Sequence, residues 1–291
     1  MSMAMRIVVL GSGGAVPSPE RNLSGISLHY EGDVYLFDCG EGTQRQMMKF
    51  GSSYAKVKAV FISHLHLDHW LGLIGMIETL RLNGRTEKLE IFGPRGIARS
   101  ELLVRDFVTV TEIGDGFEYK GDGFKVRAFD VEHDKGGMGF VFQEDAKRKF
   151  DEAKAKGMGL KGKLFREIQE KGSVETEKGK VKLEDVSWLQ DGLKIVYSGD
   201  TMPCKRLVDE AKGADLIIHE ATFLEEMKEE AKEKKHSTAK QAAEIAKKAG
   251  AKRLLLTHIS GRYKDSKEIE KEARKVFEET IVAKDGLEVL L

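Results

Sequence analysis

Ser63-His64-Leu65-His66-Leu67-Asp68-His69 sits where a strand-like apolar run, 58–63, gives way to a stretch, 69–82, whose Leu71, Ile74, Ile77 and Leu80 return at helical spacing. Three of the eight histidines in the chain and one aspartate fall within six positions. A loop between a strand and a helix can turn alternate side chains inward, and imidazole nitrogen with carboxylate oxygen is the donor set that suits zinc. A chance cluster of surface or core histidines would not concentrate them so. Reading outward, His133, Asp200 and His258 each follow an apolar run, as isolated residues at strand ends do. A lone histidine such as His133 or His258 reads more readily as a satisfied core or surface residue than as a ligand.

Around this run, strand patterns fall at 6–10, 26–30, 34–38 and 58–63, then at 89–92, 125–131, 140–143, 194–198, 216–219 and 253–257. Helical patterns fall at 41–50, 69–82, 205–211 and 237–249. That alternation predicts an α/β sandwich. The 291 residues suit one main domain with an elaboration. The elaboration is expected at 147–182, which shows no strand-like run and carries twelve Lys or Arg against six Asp or Glu, in a chain whose formal charge is zero. Such a segment is either a solvated, charge-rich helical hairpin or the one local patch able to meet a polyanion.

Other features bound the function. Gly11-Ser12-Gly13-Gly14 is not a dinucleotide loop, because Pro17 and Pro19 stand where the helix should start. Cys39 and Cys204, far apart and in no C-x-x-C pattern, predict neither a disulfide framework nor a cysteine metal site. The N-terminus MSMAMRIVVLGSGG shows no leader, and no run reaches the ~18–20 apolar residues of a membrane span. A cytoplasmic, soluble protein is expected. The scarcity of Asn, present only at positions 22 and 83, and the one-third charged composition fit heat adaptation.

The H-x-H-x-D-H run resembles the signature of the metallo-β-lactamase superfamily. That resemblance implies a four-layer αβ/βα sandwich over residues 1–291 with two zinc ions per subunit at one edge. One zinc would be held by His64, His66 and His133, the other by Asp68, His69 and His258, with Asp200 bridging. Further stretches resemble ribonuclease Z in particular: Phe37-Asp38-Cys39-Gly40-Glu41-Gly42-Thr43-Gln44, Ser198-Gly199-Asp200-Thr201, His219-Glu220-Ala221-Thr222, His236-Ser237-Thr238 and Leu256-Thr257-His258-Ile259-Ser260-Gly261-Arg262-Tyr263. They imply a zinc-dependent endoribonuclease that removes the 3′ trailer of precursor tRNA, leaving a 3′-OH on the tRNA and a 5′-phosphate on the trailer.

In that reading Asp68 orients or deprotonates the nucleophile, and His236, oriented by Glu220, reaches the scissile phosphate or the leaving oxygen. The competing reading of His236 is a helix-start residue beside a capping Ser237 or Thr238. The basic segment would be the family's tRNA-gripping arm, with Lys161 and Lys163 as contacts, although the tip's usual Gly-Pro reads Gly162-Lys163 here. Pro17-Ser18-Pro19-Glu20-Arg21-Asn22 resembles the loop for the acceptor stem, which makes Arg21 and Asn22 substrate candidates, and Arg262 would assist at the edge of the site. The resemblance further implies a homodimer. Rival readings are another phosphodiesterase of the same fold and a silent RNA-binding protein.

Overall fold

The computed structural model describes residues 5–134 and 136–291; the first four residues of the stretch read for a leader lie outside these. Two seven-stranded sheets carry the main unit, Met1–Phe142 with Lys194–Leu291. The first runs in the order Glu288–Leu290, Arg6–Gly11, Gly25–Tyr30, Asp33–Phe37, Val57–Phe61, Leu89–Gly93, Val108–Glu112. The second runs Thr280–Val282, Leu254–Thr257, Leu216–Glu220, Lys194–Tyr197, Met138–Glu144, Phe124–Asp130, Glu118–Gly121.

Inner strands read as unbroken apolar runs because both faces are covered. Val34 and Leu36 point to an outer layer formed by helices Thr43–Lys49 and Gly72–Leu82, which contribute Met47, Leu73, Met76 and Leu80. Tyr35 and Phe37, on the alternate face, meet aromatics of the second sheet: Tyr35–Phe124 at 4.9 Å, Phe37–Tyr197 at 5.8 Å and Phe61–Phe140 at 5.6 Å between ring centroids. The second sheet turns Val196, Ile217 and Leu256 outward onto helices Lys205–Glu210, Ala239–Ala249 and Lys267–Arg274. The four-layer αβ/βα sandwich is therefore the fold. Among the described residues no helix is long and apolar enough to cross a membrane.

Residues Gln143–Leu193 form a second compact unit with a core of its own, built on Ala155, Leu160, Ile168, Val174, Val181 and Val186. Two expectations about this segment are corrected. It is not strandless: Lys147–Phe150 pairs antiparallel with Ser187–Gln190, and Ser173–Thr176 with Gly179–Lys182. It also extends past 147–182 on both sides, adding Glu144, Asp145, Glu184, Asp185 and Asp191, so the folded unit carries twelve basic against eleven acidic residues. Its strands escaped notice because each is only four residues long, and the outer pair is joined across the intervening chain 151–186 rather than by a local turn.

Candidate metal centre

Every predicted ligand lies past the C-terminal end of a strand: in the loop that follows it or, for Asp68 and His69, in the short helix Leu67–Trp70 that the loop leads into. Ser63–His69 follows Val57–Phe61, His133 follows Phe124–Asp130, Asp200 follows Lys194–Tyr197, and His258 follows Leu254–Thr257. In α/β sheets this edge is where the chain is free to turn side chains together. Backbone strain collects there too. Of the five non-glycine residues with positive φ among those described, Ala15, Asp38, Lys235 and His258 all belong to this centre. Gly14 makes room for it, since a Cβ there would stand 2.5 Å from the His258 ring. The glycine loop thus serves close packing, and its Gly13-Gly14 pairs in parallel with Ile259-Ser260.

Five histidines share one hydrogen-bonding logic. His64 Nδ1 meets Ser63 Oγ at 3.0 Å, and that hydroxyl gives its own proton to Asp38. His66 Nε2 donates to Asp134 at 2.8 Å, His69 Nδ1 to Asp38 at 2.7 Å, and His133 Nδ1 to the Lys235 carbonyl at 2.8 Å. His258 Nδ1 meets Thr222 Oγ1 at 2.9 Å, whose proton goes to Glu220. Each ring therefore spends its N–H outward and turns a bare nitrogen inward, the arrangement that prepares imidazole for a metal. His64 Nε2, fully buried, has no hydrogen-bond partner.

The inward atoms form two groups. His64, His66 and His133 converge, with His66 Nδ1 and His133 Nε2 at 3.4 Å. Asp68, His69 and His258 converge on the other side. His69 Nε2 lies 3.3 Å from His258 Nε2 and 3.4 Å from Asp68 Oδ2, and His258 Nε2 lies 3.4 Å from Asp68 Oδ2. Asp200 Oδ2 stands between the groups, 3.2 Å from His69, 3.3 Å from His258 and 3.7 Å from His64. A tetrahedron with metal–ligand bonds of ~2.0–2.1 Å has edges of about 3.3 Å. Bare nitrogens and carboxylate oxygens at that spacing repel one another unless a cation lies among them, so the residues present fit metal.

The field agrees. Burial disfavours charge on His69, yet Asp200 and Asp38 outweigh it and hold the ring well above its usual range, marking where positive charge is wanted. Burial also opposes the Asp200 carboxylate, and His258 and His69 hold it well below its usual range.

Beside the two groups, Glu220 Oε1 accepts from His236 Nδ1 at 2.8 Å and from Thr201 N at 3.0 Å, and Oε2 accepts from Thr222 N and Oγ1. Burial would neutralise His236, but Glu220 and then Asp200 raise it to about 9. The helix cap is Thr238, in a capping box with Gln241, while Ser237 Oγ donates to Thr201 O, so His236 is left to the centre.

The remaining substrate candidates divide. Arg21 is buried, and its Nη1 donates to Ser12 Oγ at 2.6 Å and to Ala283 O at 2.7 Å, so that this nitrogen braces its own loop. Asn22 is likewise engaged, its amide donating to Glu41 O at 2.9 Å. Arg262 borders a cavity of about 490 Å³ that reaches His236 and His258. Lys161, ion-paired with Glu177 at 2.7 Å, and Lys163, at the start of helix Leu164–Lys171, are exposed on the second unit.

Sequence reading overlooked Asp38, Ser63, Thr222, Asp134 and Tyr197 as supports. All five lie inside or beside residues and motifs already singled out. Asp285 was also missed: it takes Ser12 N and Oγ, Asn22 N and Gln46 Nε2, and its only signal was a charge near the C-terminal end.

Two mixed sheets with this donor set along one edge define a metallo-β-lactamase-fold protein. Comparison with known proteins agrees: a model described as a beta-lactamase superfamily domain matches residues 175–259, and one described as anti-Pycsar protein Apyc1 matches residues 5–100. The YhfI metallo-β-lactamase fold protein of Bacillus subtilis superposes with a TM-score of 0.76 over 99% of both chains at 20% identity, a likeness of fold. Human tRNase Z, short form, superposes with a TM-score of 0.68 at 29% identity over 98% of both chains. Among sequences, the ribonuclease Z of Archaeoglobus fulgidus is 43% identical, covering 97% of this chain and 96% of its own. That of Ignicoccus hospitalis is 42% identical over 98% of both. The chain belongs to the ribonuclease Z family.

Proposed function

We propose that this protein is the endoribonuclease that removes the 3′ trailer from precursor tRNA. The observation that carries the reading is the pairing, in one centre, of seven inward-facing metal donors with the Glu220–His236 dyad beside them. His64, His66 and His133 would hold one zinc, and Asp68, His69 and His258 the other, with Asp200 shared. Bound zinc supplies an activated water and positive charge against the phosphoryl group during an in-line displacement.

The protein's own groups do the rest. Asp68, fixed by the Ala15 N–H at 2.9 Å, orients the attacking water. Water oxygen adds to phosphorus, giving one proton to the Asp68 carboxylate, as the bond from phosphorus to the tRNA 3′ oxygen breaks. His236, kept protonated by Glu220, gives its Nε2 proton to that oxygen, so the tRNA ends in a 3′-OH and the trailer begins with a 5′-phosphate.

The unit Gln143–Leu193 serves as the tRNA-gripping arm. Its basic residues, Lys161 and Lys163 among them, meet phosphates without reading bases. The working form is a cytoplasmic homodimer. Deleting 147–182 and mapping the products of precursor tRNA and of a small chromogenic phosphodiester tests this. Loss of tRNA cleavage with the small diester still hydrolysed supports the reading, and survival of both activities removes the arm from it.

A further inference from the structure

The cavity beside His236 and His258 carries two cations that neither the metal centre nor the dyad uses. Lys234 lies two residues before His236, and Arg262 four residues after His258, so both are fixed to the backbone that sets those rings. Both also face one aromatic ring: the Arg262 guanidinium is 4.9 Å and the Lys234 ammonium 5.8 Å from the centroid of Phe223, which follows Thr222 directly. One carboxylate holds the pair. Glu230 Oε1 takes Lys234 Nζ at 2.8 Å and Arg262 Nη2 at 2.9 Å, and Oε2 takes Arg262 Nη1 at 3.3 Å. Arg262, then Lys234, hold that carboxyl down to about 2.

Two cations converging on one bidentate anion, at the wall of a cavity open to the metal edge, reproduce the surroundings of a bound phosphate. We propose that Lys234 and Arg262 form a second phosphate subsite for single-stranded RNA flanking the cleaved bond, and that Glu230 is its internal competitor. On this view, which rests on the endoribonuclease reading above, a backbone phosphate takes the two cations from Glu230 as RNA enters. Glu230 returns as product leaves. Phe223 keeps both cations at the same height whichever anion they hold. The exchange is cheap, because half-exposed ion pairs are worth little in water. The carboxylate therefore lowers affinity without blocking the site, which favours release of a charged product.

The test is the affinity of the metal-loaded protein for a 2′-O-methyl RNA trinucleotide, which keeps its phosphates and resists cleavage, followed by fluorescence anisotropy at low salt. Glu230→Gln should tighten binding about three- to tenfold, the size expected when one exposed competing charge is lost. Lys234→Met and Arg262→Met should each weaken it by a similar factor. The gain from Glu230→Gln should vanish in the Lys234→Met/Arg262→Met background, where no cation is left to compete for; a role of Glu230 in shaping its helix would persist there. An unchanged affinity in Glu230→Gln, or a gain that survives without the two cations, overturns the subsite. Precursor tRNA cleavage by the wild type, run alongside, reports separately on the endoribonuclease reading.

Discussion

The carboxylate of Glu220 stands 2.8 Å from His236 Nδ1 and also accepts Thr222 Oγ1, the same hydroxyl that takes His258 Nδ1 at 2.9 Å. One buried acid thus sets both the proposed proton donor and one proposed metal ligand. His236→Ala removes the donor without touching the seven ligands. Zinc content should stay at the wild-type level while kcat on precursor tRNA falls roughly 10²–10⁴-fold. Glu220→Gln should lower both, because its amide would present a donor to a cluster of donors. Equal zinc loss in the two variants would contradict the division of labour.

Asp38 accepts four hydrogen bonds in complete burial: Ser63 N at 2.7 Å, Ser63 Oγ at 2.9 Å, His69 Nδ1 at 2.7 Å and Tyr197 OH at 2.6 Å. Asp38→Asn should weaken zinc binding on the order of 10–100-fold in a chelator competition, through His69. Tyr197→Phe, which removes one of the four donors, should cost about 1 kcal/mol of stability and far less affinity. Wild-type zinc affinity in Asp38→Asn would show that His69 is held some other way.

Arg21 separates structure from substrate binding. With its Nη1 bonded to Ser12 and Ala283 in a buried setting, Arg21→Ala should destabilise the protein by roughly 1–3 kcal/mol in denaturant unfolding. The slope of log affinity for tRNA against log salt should match wild type, since no phosphate contact is lost. A shallower slope with unchanged stability would return Arg21 to the substrate.

His29, remote from the metal centre, supplies a pH signature. Burial, then Arg6 and Lys56, push it from 6.5 down to about 4. The unfolded chain therefore binds this proton below pH 6.5 while the folded one does not until about pH 4, so its stabilisation is complete above 6.5 and fades as pH falls through that window. Allowing for solvent screening of a half-exposed ring, wild type should lose about 1 kcal/mol more than His29→Gln between pH 7 and pH 4. Parallel stability profiles would count against it.

What the sequence disclosed follows from range. The run 63–69, the apolar strands and the strand-end ligands are local patterns, and local periodicity is visible in one dimension. Which nitrogen of each histidine faces inward depends on Asp38, Asp134, Thr222 and the Lys235 carbonyl, and most of these meet their rings only across tens of residues. The anchoring of Arg21 is hidden for the same reason: its partner Ala283 lies 262 residues away, so an arginine in a polar loop looks free. The strands of the unit Gln143–Leu193 were hidden by their shortness and by pairing between its two distant ends.

The most direct test is side-by-side cleavage of a precursor tRNA bearing a 3′ trailer by zinc-loaded wild type, the chelated protein and His66→Ala, with bound zinc measured in each. Wild type should make one cut after the discriminator base, the chelated protein none until zinc is restored, and His66→Ala none, with less zinc retained. Cleavage that survives chelation, or a folded, zinc-loaded wild type that leaves several precursors intact, would contradict it.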